Sequence, residues 1–197
     1  MDKKNNQNQP RFKDGTVVEI SNHLTCQKFF LQRIDNSFNL SSEAVNEIAA
    51  VCSQRELYDF LFKETFNGRP YTIHDAIKFL DWAKKGWEEK TYFIFLVKDL
   101  SGKIVGAVDI KSANLEGAEI GYWADRNVRG FMTNAITALC NIARNAGYKS
   151  LYGLVIPENS KSIGVLERAG FKKKKEPFLE KGKHYIKYEI IFKQAES

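Results

Sequence analysis

Apolar and polar positions alternate from Ala118 to Trp123, which predicts a β-strand. After a short polar stretch, Gly130 opens a segment whose apolar residues Ile136, Leu139, Cys140 and Ala143 recur at helical spacing, and Gly147 stands where a left-handed cap would close it. The same patterning extends along the chain. Thr16–Leu24 alternates as a first strand, with Val18 and Ile20 on one side, and Phe29–Leu31 extends a neighbouring one. Three helices follow. The first carries the stripe Ala44, Val45, Ile48, Ala49 and Cys52 behind a serine cap at Ser41 or Ser42. The second spans Ser53–Lys63 with Leu57, Tyr58 and Leu61 inward, and Asn67-Gly68-Arg69-Pro70 ends it. The third opens on Thr72-Ile73-His74-Asp75, a capping-box pattern, with the stripe Ala76, Ile77, Leu80, Trp82, Ala83 and Trp87. Tyr92–Val97 and Lys103–Ile110 then form a hairpin, with Gly106 marking a close backbone approach. Ser150–Ile156 is a strand and Asn159–Ala169 a short helix ended by Gly170. Phe171–Leu179 pairs with Lys183–Phe192 around Glu180-Lys181-Gly182.

Residues 1–14 are polar and predict a disordered or loosely attached tail. Residues 15–197 are expected to form one domain, since no repeat and no composition shift divides them. Hydrophobic residues at 43% and charged residues at 27% are ordinary for a soluble globular chain. No apolar run suits a bilayer span or a signal peptide, so a cytoplasmic location is expected. The three cysteines, Cys26, Cys52 and Cys140, are scattered and show no metal-ligand spacing, which argues against a disulfide framework and against a metal site. The net charge of +6 is spread rather than striped, which argues against nucleic acid. The dense run Lys172–Lys175 reads as a solvated strand start. A basic surface also suits a ligand with several phosphates.

Strand, glycine turn and helix together present free backbone N–H groups and a positive helix end to an anion; a lone glycine there also fits a plain tight turn. The context adds to it. Glu119-Ile120-Gly121-Tyr122-Trp123, Arg129-Gly130-Phe131-Met132-Thr133, Pro157-Glu158-Asn159-Ser160-Lys161-Ser162 and Val165-Leu166-Glu167-Arg168-Ala169-Gly170-Phe171 follow in order. This series resembles the GNAT superfamily of acyl-CoA N-acyltransferases, and within it the Rim-type branch that acetylates the N-terminal amines of ribosomal proteins. The resemblance is dense over residues 104–173.

The resemblance implies an α+β fold. A mostly antiparallel, twisted mixed sheet of about seven strands is flanked by helices and splayed open where acetyl-CoA lies. It implies acetyl-CoA as donor, a primary amine as acceptor, and direct attack in a ternary complex. A homodimer stays open. The backbone N–H groups of Val128, Arg129, Gly130, Phe131, Met132 and Thr133 would hold the pyrophosphate. Gly130 stands at the family position where a side chain would block it, and the Thr133 hydroxyl would add a contact. Asn127 and Met132 depart from the family pattern, which has Gln or Arg and a small residue there. Trp123 and Ala124 would offer strand backbone to the pantetheine arm. Asn159 would bond the pantetheine, cap the following helix, or do both. Glu119 would deprotonate the amine, directly or through water; by parity it shares a face with Gly121 and Trp123, and its other reading is a solvated strand residue or a partner for a sheet lysine. Many relatives carry a tyrosine that serves the leaving thiolate where this chain has Val165 and Leu166. Ser162 would serve it here, unless its hydroxyl only bonds a first-turn N–H. The acceptor is expected to be a protein or peptide N-terminus, with a small amine (polyamine or aminoglycoside-like) or a non-catalytic acyl-CoA-binding domain as alternatives.

Overall fold

The computed structural model describes residues 9–15, 17–176, 178–180 and 182–193. The described residues form nine strands and five helices. They are β1 (Val17–Ser21), β2 (Lys28–Arg33), α1 (Ser42–Cys52), α2 (Arg55–Leu61), α3 (Ile73–Glu89), β3 (Phe93–Asp99), β4 (Ile104–Ile110), β5 (Ala118–Ala124), α4 (Met132–Ala146), β6 (Ser150–Val155), α5 (Ser160–Arg168), β7 (Lys172–Lys173), β8 (Phe178–Glu180) and β9 (Lys183–Ile191). The strands run β1-β2-β3-β4-β5-β6-β9-β7, with β8 against β9. All neighbours are antiparallel except β5 and β6.

Two apolar layers cover the sheet. On β3, Phe93, Phe95 and Val97 join the layer under α4, while Ile94 and Leu96 join the layer under α1 and α3. A strand sealed on both faces shows no alternation, which is why 92–97 reads as a continuous apolar run.

The sheet has nine strands rather than about seven. Part of the reason is that the expected strand 171–179 divides. Lys173 pairs with Tyr188 and Phe178 with Tyr185, so five steps on one side face three on the other, and the surplus breaks the ladder into β7 and β8. The helical stripes also shift. Trp82 is 47% and Ile77 39% exposed, and α3 buries Ala76, Leu80 and Ala83 instead. Trp82 is two positions past Leu80, about 200° round the helix, and it stacks on Tyr92 at 4.1 Å between ring centroids. α2 is shorter than expected, and Leu61 is exposed.

Residues 1–8 of the expected loose tail lie outside the described residues. Residues 9–14 differ from it. Pro10 is buried, Arg11 N donates to Ala146 O (3.0 Å), and the Phe12 ring packs 4.4 Å from Phe93 and 5.1 Å from Trp87. One aromatic side chain in a polar stretch is enough to dock it.

Candidate active site

β5 and β6 are in register only at Ala118↔Leu151 and Glu119↔Tyr152; past that point they diverge. The wedge between them opens into a cleft of about 680 Å³, walled by β5, β6, the turn before α4, α5, α2 and the start of β9. That volume is in the range of ligand sites. Among the site residues read from the sequence, Glu119, Trp123, Ala124, Val128, Arg129, Gly130, Phe131, Met132, Asn159 and Ser162 all line it. Thr133 stands outside its wall, and its hydroxyl accepts from Arg168 Nε at 3.3 Å.

The turn is built to leave donors open. Phe131 is the N-cap of α4 and provides no capping side chain, and the first turn has no acidic residue. Val128 N, expected among the pyrophosphate donors, is taken up by Asp125 O (3.0 Å), and Asn127 N by Asp125 Oδ1 (2.9 Å). The open set therefore moves along the chain: among the described residues, the N–H groups of 129–134 make no hydrogen bond. Uncapped N–H groups at a positive helix end, beside Arg129 and Arg168, suit the phosphates of acetyl-CoA. Phe131 and Met132 turn their side chains into the core. Phe131 stacks on Phe29 at 5.1 Å, so Met132, larger than the family residue, does not fill the turn.

Gly130 has a reason within the fold itself. Its φ is +87°, and a Cβ there would stand 2.9 Å from Asn22 Cγ and 3.0 Å from Leu24 Cδ1. The loop between β1 and β2 occupies that space. Asn22 Nδ2 donates to Arg129 O, and His23 N donates to Gly130 O (3.0 Å). Asn22 Oδ1 accepts from Leu24 N (2.8 Å), holding the loop in a tight turn where the sequence pattern had continued the strand.

Strand backbone is offered by alternate residues. Lys111 N donates to Glu119 O and Asp125 N to Val105 O, so the odd positions of β5 bond towards β4. By the same alternation the main chain of Trp123 is taken up there, while Ile120, Tyr122 and Ala124 face the wedge. Of the two residues expected to offer backbone to the pantetheine, Ala124 turns its main chain to the wedge and Trp123 turns its own to β4; Tyr122 also faces the wedge.

Glu119 forms an ion pair with Lys111 at the cleft wall. Beside them lies Asp109, which sequence reasoning missed because it sits on β4. Its carboxylate lies over Gly121, where a Cβ would meet Oδ2 at 2.7 Å, and it accepts from Gly121 N at 3.1 Å. Burial pushes the Asp109 carboxyl up to about 6; Lys111 opposes this and the Glu119 charge adds to it. A Gly opposite an Asp in the strand pairing was the available signal.

On the far side of the wedge, Asn159 caps α5: its Oδ1 accepts from Ser162 N at 3.1 Å. The Ser162 hydroxyl is therefore released from capping. It lies 2.6 Å from the Tyr122 hydroxyl.

A mixed sheet splayed at its parallel pair, with an uncapped helix end and basic side chains at the mouth, suits a ligand that carries several phosphates. Residues 39–172 match the acetyltransferase (GNAT) domain family, and the chain belongs to that family. It is an acetyl-CoA-dependent acetyltransferase. No curated protein matches the sequence at a significant level. Solved structures share the fold at low identity. The microcin C7 self-immunity acetyltransferase MccE, with acetyl-CoA and AMP, is 21% identical (TM-score 0.67, covering 83% of this chain and 92% of that one). RimJ of Mycobacterium smegmatis, with CoA-disulfide, is 18% identical (0.68; 89% and 86%). The spermidine N-acetyltransferase of Vibrio cholerae, with CoA and spermine, is 17% identical (0.62; 83% and 95%). No helix among the described residues is long and apolar enough to cross a membrane.

Proposed function

We propose that the acceptor is the α-amino group of a peptide or protein chain. The charge of the cleft carries this reading. Six basic side chains line it (Lys111, Arg126, Arg129, Lys161, Arg168 and Lys183) against four acidic ones (Glu56, Asp59, Glu119 and Asp125). Each of the four is already engaged. Glu56 pairs with Lys161 at 2.6 Å, Asp59 with Lys63 at 3.3 Å, Glu119 with Lys111, and Asp125 accepts from Gln54 Nε2 at 2.8 Å. A polyamine would bring several positive charges to a cleft whose four carboxylates already have partners of their own. A peptide N-terminus brings one charge and loses it before attack. Leu57, Phe60 and Leu61 of α2, with Tyr185 of β9, add an apolar wall suited to its first residues.

In the ternary complex the amine attacks the thioester carbonyl directly. Glu119 accepts the amine proton, directly or through water. An α-amino group, with a pKa of about 8, asks less of that base than a lysine at about 10.4. Residues 129–134 hold the phosphates by their N–H groups, and Ser162 faces the departing sulfur.

Thiol release from acetyl-CoA over an acceptor panel tests the reading. Peptides with free N-termini should exceed spermidine and an aminoglycoside by at least tenfold in kcat/KM. Equal or better turnover of spermidine would overturn it.

A further inference from the structure

Tyr122 and Ser162 face each other inside the cleft. The Tyr122 hydroxyl lies 2.6 Å from Ser162 Oγ and 3.2 Å from the Ser162 carbonyl oxygen. Two hydroxyls at that distance can arrange their protons in two ways. In one, Tyr122 donates to the carbonyl and Ser162 donates to Tyr122, so nothing is left for a ligand. In the other, Tyr122 donates to Ser162 Oγ, and the serine O–H is free to point elsewhere. An anion in the wedge selects the second, because a hydrogen bond to an anion is the stronger one.

We propose that Tyr122 is a positioning residue for the leaving group: its O–H donates to Ser162 Oγ and thereby aims the serine O–H at the sulfur of the departing CoA. This rests on the assignment of Ser162 to the thiolate given above. Three observations support it. Asn159 already caps the helix at Ser162 N, so the serine hydroxyl has no duty there. Tyr122 is on an even position of β5, the set whose backbone faces the wedge, so ring and main chain frame the same space. Both side chains line the cleft.

The pair acts by hydrogen bonding, not by giving up a proton. Burial pushes the Tyr122 phenol up to about 12, so it stays protonated throughout the working pH range. A thiol ionises near 8.5, so a thiolate cannot hold a proton taken from such a phenol. The proton count closes without one: the N–C bond forms, the C–S bond breaks, and the proton lost by the amine to Glu119 is the one that sulfur finally takes up through solvent. Two hydroxyls in series also polarise each other, which strengthens the terminal bond to the anion.

The test uses Tyr122→Phe, Ser162→Ala and the double variant, with two readouts. The first is steady-state kinetics. Tyr122→Phe should lower kcat about tenfold, a change of about 1.4 kcal/mol in the barrier, with acetyl-CoA KM within about twofold on that scale. The double variant should lose no more than Ser162→Ala alone. The second is the ultraviolet absorbance of the CoA thiolate titrated on the protein. Its pKa should rise in both single variants relative to the unmodified chain. A normal kcat in Tyr122→Phe, or losses that multiply in the double variant, overturns the Tyr122 role. An unchanged kcat in Ser162→Ala instead overturns the assignment of Ser162. If Tyr122→Phe does not fold, the thiolate titration of Ser162→Ala decides: an unmoved thiol pKa there shows that no hydroxyl chain reaches the sulfur.

Discussion

Asn22 occupies the space beside Gly130 that any side chain at position 130 would need, and it ties down the carbonyl of Arg129. The turn with its open N–H groups is thus shaped from behind by the loop joining the first two strands. Gly130→Ala should fail on two counts, φ and space. Calorimetry should show acetyl-CoA binding weakened by tenfold or more, about 1.4 kcal/mol. Asn22→Ala should weaken it as well, although Asn22 is on the other side of the turn from the ligand. Unchanged affinity in Asn22→Ala would show that the turn holds its own shape.

Glu119→Gln keeps the size of the side chain and removes the base. A loss of about 10²-fold in kcat/KM is expected for a general base. A smaller loss that is fully recovered at higher pH would mean that Glu119 positions the amine or a water. In stopped or continuous thiol assays the two outcomes separate by their pH profiles.

Asp109 makes stability depend on pH in the unusual direction. An unfolded aspartate titrates near 3.9, while Asp109 in the fold titrates at about 6. Between those values the folded chain holds the extra proton, so this residue's contribution to stability falls as pH rises through the window and stays low above it. Asp109→Asn should gain on the unmodified chain between pH 4 and pH 7, by roughly 1–2 kcal/mol after solvent screening. Parallel melting curves across that range check it.

Asp75 behaves in the opposite way. It accepts from Thr72 N at 2.8 Å in the capping box of α3 and takes both arms of Arg69 at 2.7 and 2.8 Å. These bonds, Arg69 foremost, hold its carboxyl well below the usual range. Its stabilisation is fully present above about pH 4 and is lost as pH falls below that. Asp75→Ala should cost about 2–3 kcal/mol by denaturant titration at neutral pH.

The order of elements was legible because most of them carry their own periodicity, and the buried strand 92–97 because it is a short apolar run closed by a turn. The turn before α4 was legible from Gly130, but the packing of Asn22 against it was not, since Asn22 is 107 positions away from Arg129 in sequence. That the main chains of Val128 and Trp123 already have partners was hidden for a related reason: which N–H groups are open depends on pairing with Asp125 and β4, and a motif does not record pairing. Asp109 and Tyr122 escaped notice because one reads as an ordinary strand residue of β4 and the other as part of an aromatic run. Their partners, Gly121 and Ser162, lie 12 and 40 positions along the chain. Trp82 and Ile77 went the other way, since an apolar residue slightly off the helix face looks like core until the face is known.

Two registered residues join the half of the sheet ending in β5 to the half beginning with β6. A seam that short leaves the main chain of Tyr122 and Ala124 beyond the β6 ladder, and the pantetheine arm carries two amides of its own. A donor arm lying along Tyr122 and Ala124 would bridge the two halves of the sheet, so that the molecule supplying the acetyl group would also brace the frame in which it reacts.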